Sequence, residues 1–576
     1  MPPPTPWQRW LPILHWSRQY RLDHFAADGV AAAVVTLMLI PQSLAYALLA
    51  GLPPEAGLYA SMAPLVLYAV FGSSSTLAVG PAAVTSLMTA ASVGAVATAG
   101  SAGHAEAAVV LALLSGALMV LMGVVKLGFV ANFLSHPVVS GFVSASGLLI
   151  AASQLKHLLG VPLQGDTLWQ LAQGLPVQLP RVHLATLAMG AGGLLALLWA
   201  RRRLKPLLMA WKVAAHTADL ATKAAPVAVL AASTALAWTL DLAGGGLKVV
   251  GHVPQGLPTL TLPSASASTW ALVQALWVPA VLISLVGFVE SVSVGQSLAA
   301  KRRERIDPDA ELRALGMSNL GAGLTGGFPV TGGFSRSVVN FDAGARTPAA
   351  GLYTAVGLAL AALFLTPWLH HLPQATLAAT IVVAVLTLVD PGAFGRTWRY
   401  AKADFTALLL TFALTLVAGV ETGLVAGVGA SVLLLLYRSS RPHIATVGQV
   451  PGTEHYRNVL RHRVVTQPHL LGLRVDESLY FANARHLEDH IAAEVARHPE
   501  VRHLVLQCSA VNDIDASAVE SLEAINERLR DSGVTLHLSE VKGPVMDRLQ
   551  RSEFLPRLSG QVFLTHHQAV QALSRR

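Results

Sequence analysis

Charge is what this sequence has least of. Asp, Glu, Lys and Arg make up only 12% of its 576 residues, 53% are hydrophobic, and the mean hydropathy is +0.54. Its apolar runs repeatedly reach or approach the ~20 residues that span a bilayer, so the chain reads as a polytopic membrane protein with lipid as its main partner. Cysteine is nearly absent too. The single thiol, Cys508, lies in an apolar strand-like run, HLVLQCSAV. That excludes an intramolecular disulfide and a cysteine-held metal, and a buried, inert thiol is expected. His136, His370 and His371 fall at segment ends without ligand-like spacing, so neither a metal nor any other cofactor is expected. Enzyme signatures are missing: no G-x-x-x-x-G-K-[ST] loop to cradle ATP phosphates, no nucleophile elbow and no H-E-x-x-H. Primary pumping and hydrolysis are therefore not expected. The net charge of +8 does not argue for nucleic acid, because the basic residues cluster at the ends of apolar segments, where orientation in the membrane explains them.

What is present is punctuation. Gly, Pro and charge divide the apolar sequence into about fourteen segments, near 28–50, 57–72, 80–98, 106–127, 134–155, 182–200, 223–242, 271–298, 310–325, 334–345, 350–368, 374–389, 403–419 and 421–437. Lys and Arg concentrate in the loops of one side, as in the runs 201–205 and 301–305, while the other side receives little beyond Lys156, Arg181 and Lys248. An even number of spans with both ends cytoplasmic follows. Residues 1–26 form a cytoplasmic or interfacial lead-in, in which Trp7, Trp10, Leu11 and Leu14 share one helical face. A transport domain is expected over 27–440.

The two halves, about 27–242 and 270–438, echo each other. Asp28 to Leu49, with Gln42 and Tyr46, corresponds to Val278 to Leu298, with Glu290. Seven segments per half is odd, so the second copy enters the membrane from the opposite side, giving an inverted repeat. Each half also contains a break: STLAVGPAAVTSLM (75–88) and GGFPVTGGFSRSVVN (326–340). A broken helix at membrane depth is tolerated only where it packs in protein or lines a cavity, and there it exposes a helix N-terminus. That end carries unpaired N–H groups and about half an elementary positive charge. Ser335 and Arg336 add a hydroxyl and a guanidinium. Two interrupted segments in corresponding places point to a transporter's binding site. An anion held between 82–84 and 334–336 is the expectation. Plainer roles stand beside these: Arg336 tied to carbonyls, Glu290 as its counterion, Gln42 bonded to a neighbouring helix, Tyr46 as packing. GxxxG-like spacings such as Gly423 to Gly427 read as packing.

After Arg441 the pattern changes. Residues 470–475 and 478–483 read as a strand pair, 503–508 and 534–539 as strands, and 484–497, 516–530, 543–551 and 566–573 as helices. A small α/β domain with a mainly parallel sheet is expected over 441–576.

PQSLAYALLAGLPPEAGLYAS (41–61), the Gly80-Pro81 break, LSHPVVSGF (134–142) and FPVTGGFSRSVVN (328–340) together resemble the SulP family of anion transporters, and the tail resembles its STAS domain. The resemblance implies fourteen segments as two inverted seven-segment repeats, half-helices in segments 3 and 10, and a homodimer in a bacterial-type inner membrane. It implies an anion pocket drawing on Gln42, Tyr46, Ala82, Ala83, Val84, Ser335 and Arg336, with Glu290 as the eighth-segment acid. A Glu here, beside a tenth-segment Arg, is more similar to proton-coupled sulfate carriers than to sodium–bicarbonate members. In the tail, Ser517 of Asp513-Ile514-Asp515-Ala516-Ser517 resembles a phosphorylatable position, although Ala516 departs from the Asp-Ser-Ser form. Proton-coupled uptake of a small inorganic anion, sulfate favoured, is the expected function. The alternatives are a sodium-coupled bicarbonate or dicarboxylate carrier, and a membrane anion sensor that signals through the STAS domain.

Overall fold

The computed structural model describes residues 10–98, 100–133, 135–163, 165, 167–263 and 266–574, and the chain divides into two compact units, Met1–Ser431 and Val432–Arg576.

Fourteen helices account for the expected segments: α1 (Leu22–Leu49), α2 (Pro54–Phe71), α3 (Ala83–Gly94), α4 (Ala102–Val124), α5 (His136–Ser153), α6 (Leu184–Trp199), α7 (Ala215–Thr239), α8 (Ala267–Arg302), α9 (Pro308–Leu324), α10 (Phe334–Asp342), α11 (Ala349–Phe364), α12 (Gln374–Val385), α13 (Lys402–Ala418) and α14 (Val420–Ser440). Among the described residues, six stretches are long and apolar enough to cross a membrane on length and composition alone, α1, α4, α8 and α14 being four of them. Two of the short helices are informative. At 1.5 Å per residue, α3 and α10 cover only about half of a ~30 Å hydrocarbon core. The chain before each is extended instead: β1 (Val79–Gly80) and β2 (Thr331–Gly332) pair antiparallel, Val79 opposite Gly332 and Gly80 opposite Thr331. Antiparallel pairing of equivalent strands is what two copies of opposite sense produce.

Small residues set the helix spacing. Gly116 of α4 and Gly316 of α9 lie where the two helices cross, and a Cβ on either would fall within 2.7 Å of a backbone nitrogen of the other helix. Gly423 and Gly427 likewise abut Thr415 and Thr411 of α13, so that spacing is packing. At the N-terminus, Trp7 lies outside the described residues. A helix of four residues, Ile13–Trp16, lies in this lead-in; Trp16 donates Nε1–H to the Ala69 carbonyl at 3.1 Å, and the Arg313 guanidinium lies over the Trp10 ring.

The second unit holds β3 (Ile444–Gln449), β4 (Tyr456–Asn458), β5 (Leu470–Val475), α15 (Phe481–Arg497), β6 (His503–Gln507), α16 (Ala516–Asp531), β7 (Thr535–Ser539), α17 (Gly543–Leu549), α18 (Phe554–Arg557), β8 (Val562–Phe563) and α19 (His566–Ser574). Sheet order is β4-β3-β5-β6-β7-β8, parallel from β5 to β8 and antiparallel at β3 and β4. The strand expected over 478–483 is not there: Leu479 makes one bridge to Ile514, and Phe481 opens α15. Asn483 decides this, since its Oδ1 accepts from the Tyr480 N–H at 3.1 Å and caps the helix. β3 and β4 were not expected; β4 is too short to show alternation. Cys508 is buried beside β6, and burial pushes its thiol up to about 12, so it is protonated and unreactive at neutral pH.

Candidate functional site

The breaks have their backbone satisfied from neighbouring helices. Asn319 of α9 bonds both sides of Val330, accepting from its N–H and donating to its carbonyl, each at 2.9 Å. Ser291 of α8 accepts from Gly332 N–H at 2.8 Å, Ser337 accepts from Ala78 N–H at 3.0 Å, and Asn340 donates to the Thr76 carbonyl at 3.0 Å. The extended stretches are thus a built feature at membrane depth.

Arg336 sits at their crossing, only 2% exposed. Nη1 donates to the Pro81 carbonyl at 2.5 Å, and Nη2 donates to the carbonyls of Gly80 at 2.9 Å and Thr331 at 3.2 Å. Nε has no partner. The guanidinium therefore clips the first break to the second, and its charge remains unneutralised by any carboxylate: among the described residues no ion pair joins it to Glu290, whose Oε2 is buried without a hydrogen bond. Two glycines make room for it. A Cβ on Gly333 would lie 2.8 Å from Nη2, and one on Gly80 would lie 3.2 Å from Nη1.

The two half-helices start beside this charge. Neither N-terminal cap, Ala82 for α3 or Gly333 for α10, supplies a side-chain hydrogen bond, so the first N–H groups of both are open to a ligand. Pro81 precedes the first of them. All eight expected membrane-site residues, Gln42, Tyr46, Ala82, Ala83, Val84, Glu290, Ser335 and Arg336, line one cavity of about 40 Å³, enough for a small ion or a few waters. Tyr46 is 8% exposed, and Ser335 is open to the space. A wider cavity of about 450 Å³ shares Gln42, Tyr46, Phe334, Ser335, Ala384 and Thr387 with it and forms an antechamber.

Phe334, within the expected 334–336 stretch, projects into both cavities. Several lining residues were missed in the sequence: Ala384 and Thr387 enter from the end of α12, and Arg201 lines the antechamber while donating to the Val383 carbonyl at 3.4 Å. Arg201 belongs to a basic run that reads as a loop, and nothing in the run marks one arginine as inward. In the second unit, Ser517 is exposed in the first turn of α16, whose cap Asp515 accepts from Ala518 N–H at 2.9 Å.

A model of the sulfate permease family matches residues 25–411, and one of the STAS domain matches residues 462–569. Among curated relatives, the chloroplastic sulfate transporter 4.1 of Arabidopsis thaliana is 34% identical over 97% of this chain and 82% of its own length. A probable sulfate transporter of Mycobacterium tuberculosis is 34% identical over 98% of both chains. Among solved structures, the murine Solute Carrier 26 family member A9 anion transporter, in its inward-facing state, shares the fold with a TM-score of 0.85 at 23% identity, covering 98% of this chain and 94% of that one. The transmembrane domain of the cyanobacterial bicarbonate transporter BicA aligns with a TM-score of 0.59 at 21% identity over 72% of this chain and 98% of its own.

Proposed function

The chain belongs to the sulfate permease family, a multi-pass membrane transporter and not an enzyme, and from that premise we propose that it takes up a divalent oxyanion, sulfate first, together with a proton. The observation that carries the reading is the convergence of α1, the two half-helix ends, Arg336 and Glu290 on one small cavity. Arg336 contributes +1 and the two helix ends about +0.5 each, which balances a divalent anion. An ionised Glu290 in the same cavity subtracts one, so anion and carboxylate charge compete. A proton on Glu290 removes the competition, and anion and proton then bind cooperatively and reciprocally. Carrying a divalent anion inward against an inside-negative potential costs ~4.6 kcal/mol per 100 mV, at ~2.3 per charge, and one proton offsets half of that. The protein works as a homodimer in a bacterial inner membrane with both termini cytoplasmic; the loop charges and the family resemblance support this.

Purified protein in liposomes, given radiolabelled sulfate and an imposed proton or sodium gradient in turn, tests the reading. Uptake that rises as the outside pH falls supports it. Uptake driven by a gradient that is alkaline outside and acidic inside contradicts it, as does uptake driven by sodium at constant pH. Sodium-driven bicarbonate or dicarboxylate flux would put the alternative carrier in its place, and anion binding without flux would put the sensor there.

A further inference from the structure

The second unit carries a basic pocket built only from its own residues. Its volume is about 420 Å³ and its lining is His443, Arg457, Asn458, Arg461, His462, Arg474 and Asp476. Three guanidinium groups face one carboxylate, a surplus of two positive charges before either histidine is protonated. Asp476 is already spent. It accepts from Arg474 Nε at 2.5 Å and Nη2 at 3.0 Å and from His443 Nδ1 at 2.8 Å; burial alone would raise its carboxyl, but those bonds hold it below the usual range. Its effect is to fix Arg474 and His443 in place at the end of β5. Across the pocket, the Asn458 carbonyl accepts from the N–H groups of Arg461 at 3.0 Å and His462 at 3.1 Å, which folds the chain after β4 into a tight turn that presents both side chains. Asn458 is itself 8% exposed, and its Oδ1 is tied to Leu460 N–H at 2.8 Å. Among the described residues, the Asn458 Nδ2 and the side chains of Arg457 and Arg461 have no hydrogen-bond or ion-pair partner. Like charges held together on a fixed frame repel one another until an anion supplies what the protein omits.

We infer that this pocket binds a phosphate-type oxyanion carried on a larger group. Guanidinium forks match phosphate oxygens two at a time, the amide adds a neutral donor, and the volume exceeds that of a bare ion. One source lies close along the chain: α14 ends at Ser440, three residues before His443, with Arg438 in its last turn and Arg441 directly after it. Basic residues immediately after a spanning helix meet anionic lipid headgroups. The site is therefore assigned to the phosphate of an anionic phospholipid headgroup, with a soluble phosphate compound as the other source of the same chemistry.

The test compares the full-length protein with the same protein bearing Arg457→Gln and Arg461→Gln, two exposed positions whose exchange leaves the core intact, so that the membrane cavity contributes the same signal to both. Thermal stability and binding are measured in nanodiscs of phosphatidylcholine alone, in nanodiscs containing phosphatidylglycerol, and in phosphatidylcholine with added inorganic phosphate. Saturable, salt-sensitive binding that weakens about tenfold in the double variant supports the site; its appearance with phosphatidylglycerol assigns the headgroup, and with phosphate alone the soluble compound. Equal behaviour of the two proteins under all three conditions overturns it.

Discussion

Residues 75–88 and 326–340 hold matching places in the two halves and the same backbone course, an extended pair of residues followed by a half-helix. Their side chains differ in kind. The first break, VGPAAV, offers only backbone: carbonyls at Gly80 and Pro81, and open N–H groups from Ala82 on. The second, TGGFSRSVVN, brings Arg336, Ser337 and Asn340, which hold the first break in place, Arg336 also supplying the charge, and Ser335, which lines the cavity. Duplication thus gave the geometry twice and the chemistry once. A binding site between inverted repeats needs two helix ends, but a single buried guanidinium suffices to balance a divalent ion, and a second would add desolvation cost without a partner.

Removing the arginine tests this asymmetry most severely. Arg336→Ala removes the guanidinium donors to the carbonyls of Gly80, Pro81 and Thr331, at about 1–3 kcal/mol for a buried carbonyl left with no other partner. It also removes the anion's charge partner, worth ~2–5 kcal/mol. Sulfate uptake is expected to vanish and the melting temperature to fall. Arg336→Lys, with one point charge for three fixed donors, is expected to keep part of both. A folded Arg336→Ala protein with unchanged affinity would remove the basis for the asymmetry.

The glycines refine it. Gly333→Ala places its Cβ 2.8 Å from Nη2, and Gly80→Ala places its Cβ 3.2 Å from Nη1. The first is expected to cost affinity severalfold and the second less, read as the ratio of half-saturation constants for uptake; the reverse order would mean that the guanidinium does not hold the position described.

Glu290→Gln is next in size. Gln is a neutral stand-in for the protonated acid, so anion binding is expected to persist while uptake loses its dependence on outside pH. Full pH dependence in the variant would move proton coupling to another group. Glu421 of α14 is set apart from this cavity: it accepts from Ser92 Oγ at 2.5 Å and lines a separate space.

The smallest expected effect lies in the second unit. Burial, with His503 beside it, lowers His537 to about 4, and burial lowers His566 to about 4 against the opposing pull of Glu540. Both bind fewer protons folded than unfolded. Their contribution to stability is therefore present above about pH 6.5 and is lost as the pH falls toward 4. Hydrogen exchange of β5–β7 in the full-length protein is expected to speed up between pH 7 and pH 5 relative to the intrinsic rate, and His566→Gln is expected to flatten that change.

How much of this was legible in the sequence depends on where the signal was local. Both breaks announced themselves, because Gly and Pro inside an apolar run interrupt the helix that a lipid-facing backbone requires, and Arg336 stood out for its charge. Their convergence with Gln42, Tyr46 and Glu290 was implied by the resemblance to the SulP family rather than by the residues alone. Which carbonyls Arg336 bonds was not legible: those of Gly80 and Pro81 lie in the other half of the chain and are invisible to spacing. Thr387 and Arg201 were missed for the same reason, since a threonine at a helix end and an arginine in a basic run look alike whether they face lipid, water or a cavity. In the second unit, LYFAN carried strand-forming residues, yet one asparagine cap made it the start of a helix.

The most direct measurement is the position of the anion. Selenate, a heavier analogue of sulfate, can be located by its anomalous scattering in crystals of the full-length protein. The account predicts it between the first turns of α3 and α10, within reach of Ala83, Val84 and Ser335; selenate farther than about one helix diameter, ~10 Å, from both helix ends would contradict it.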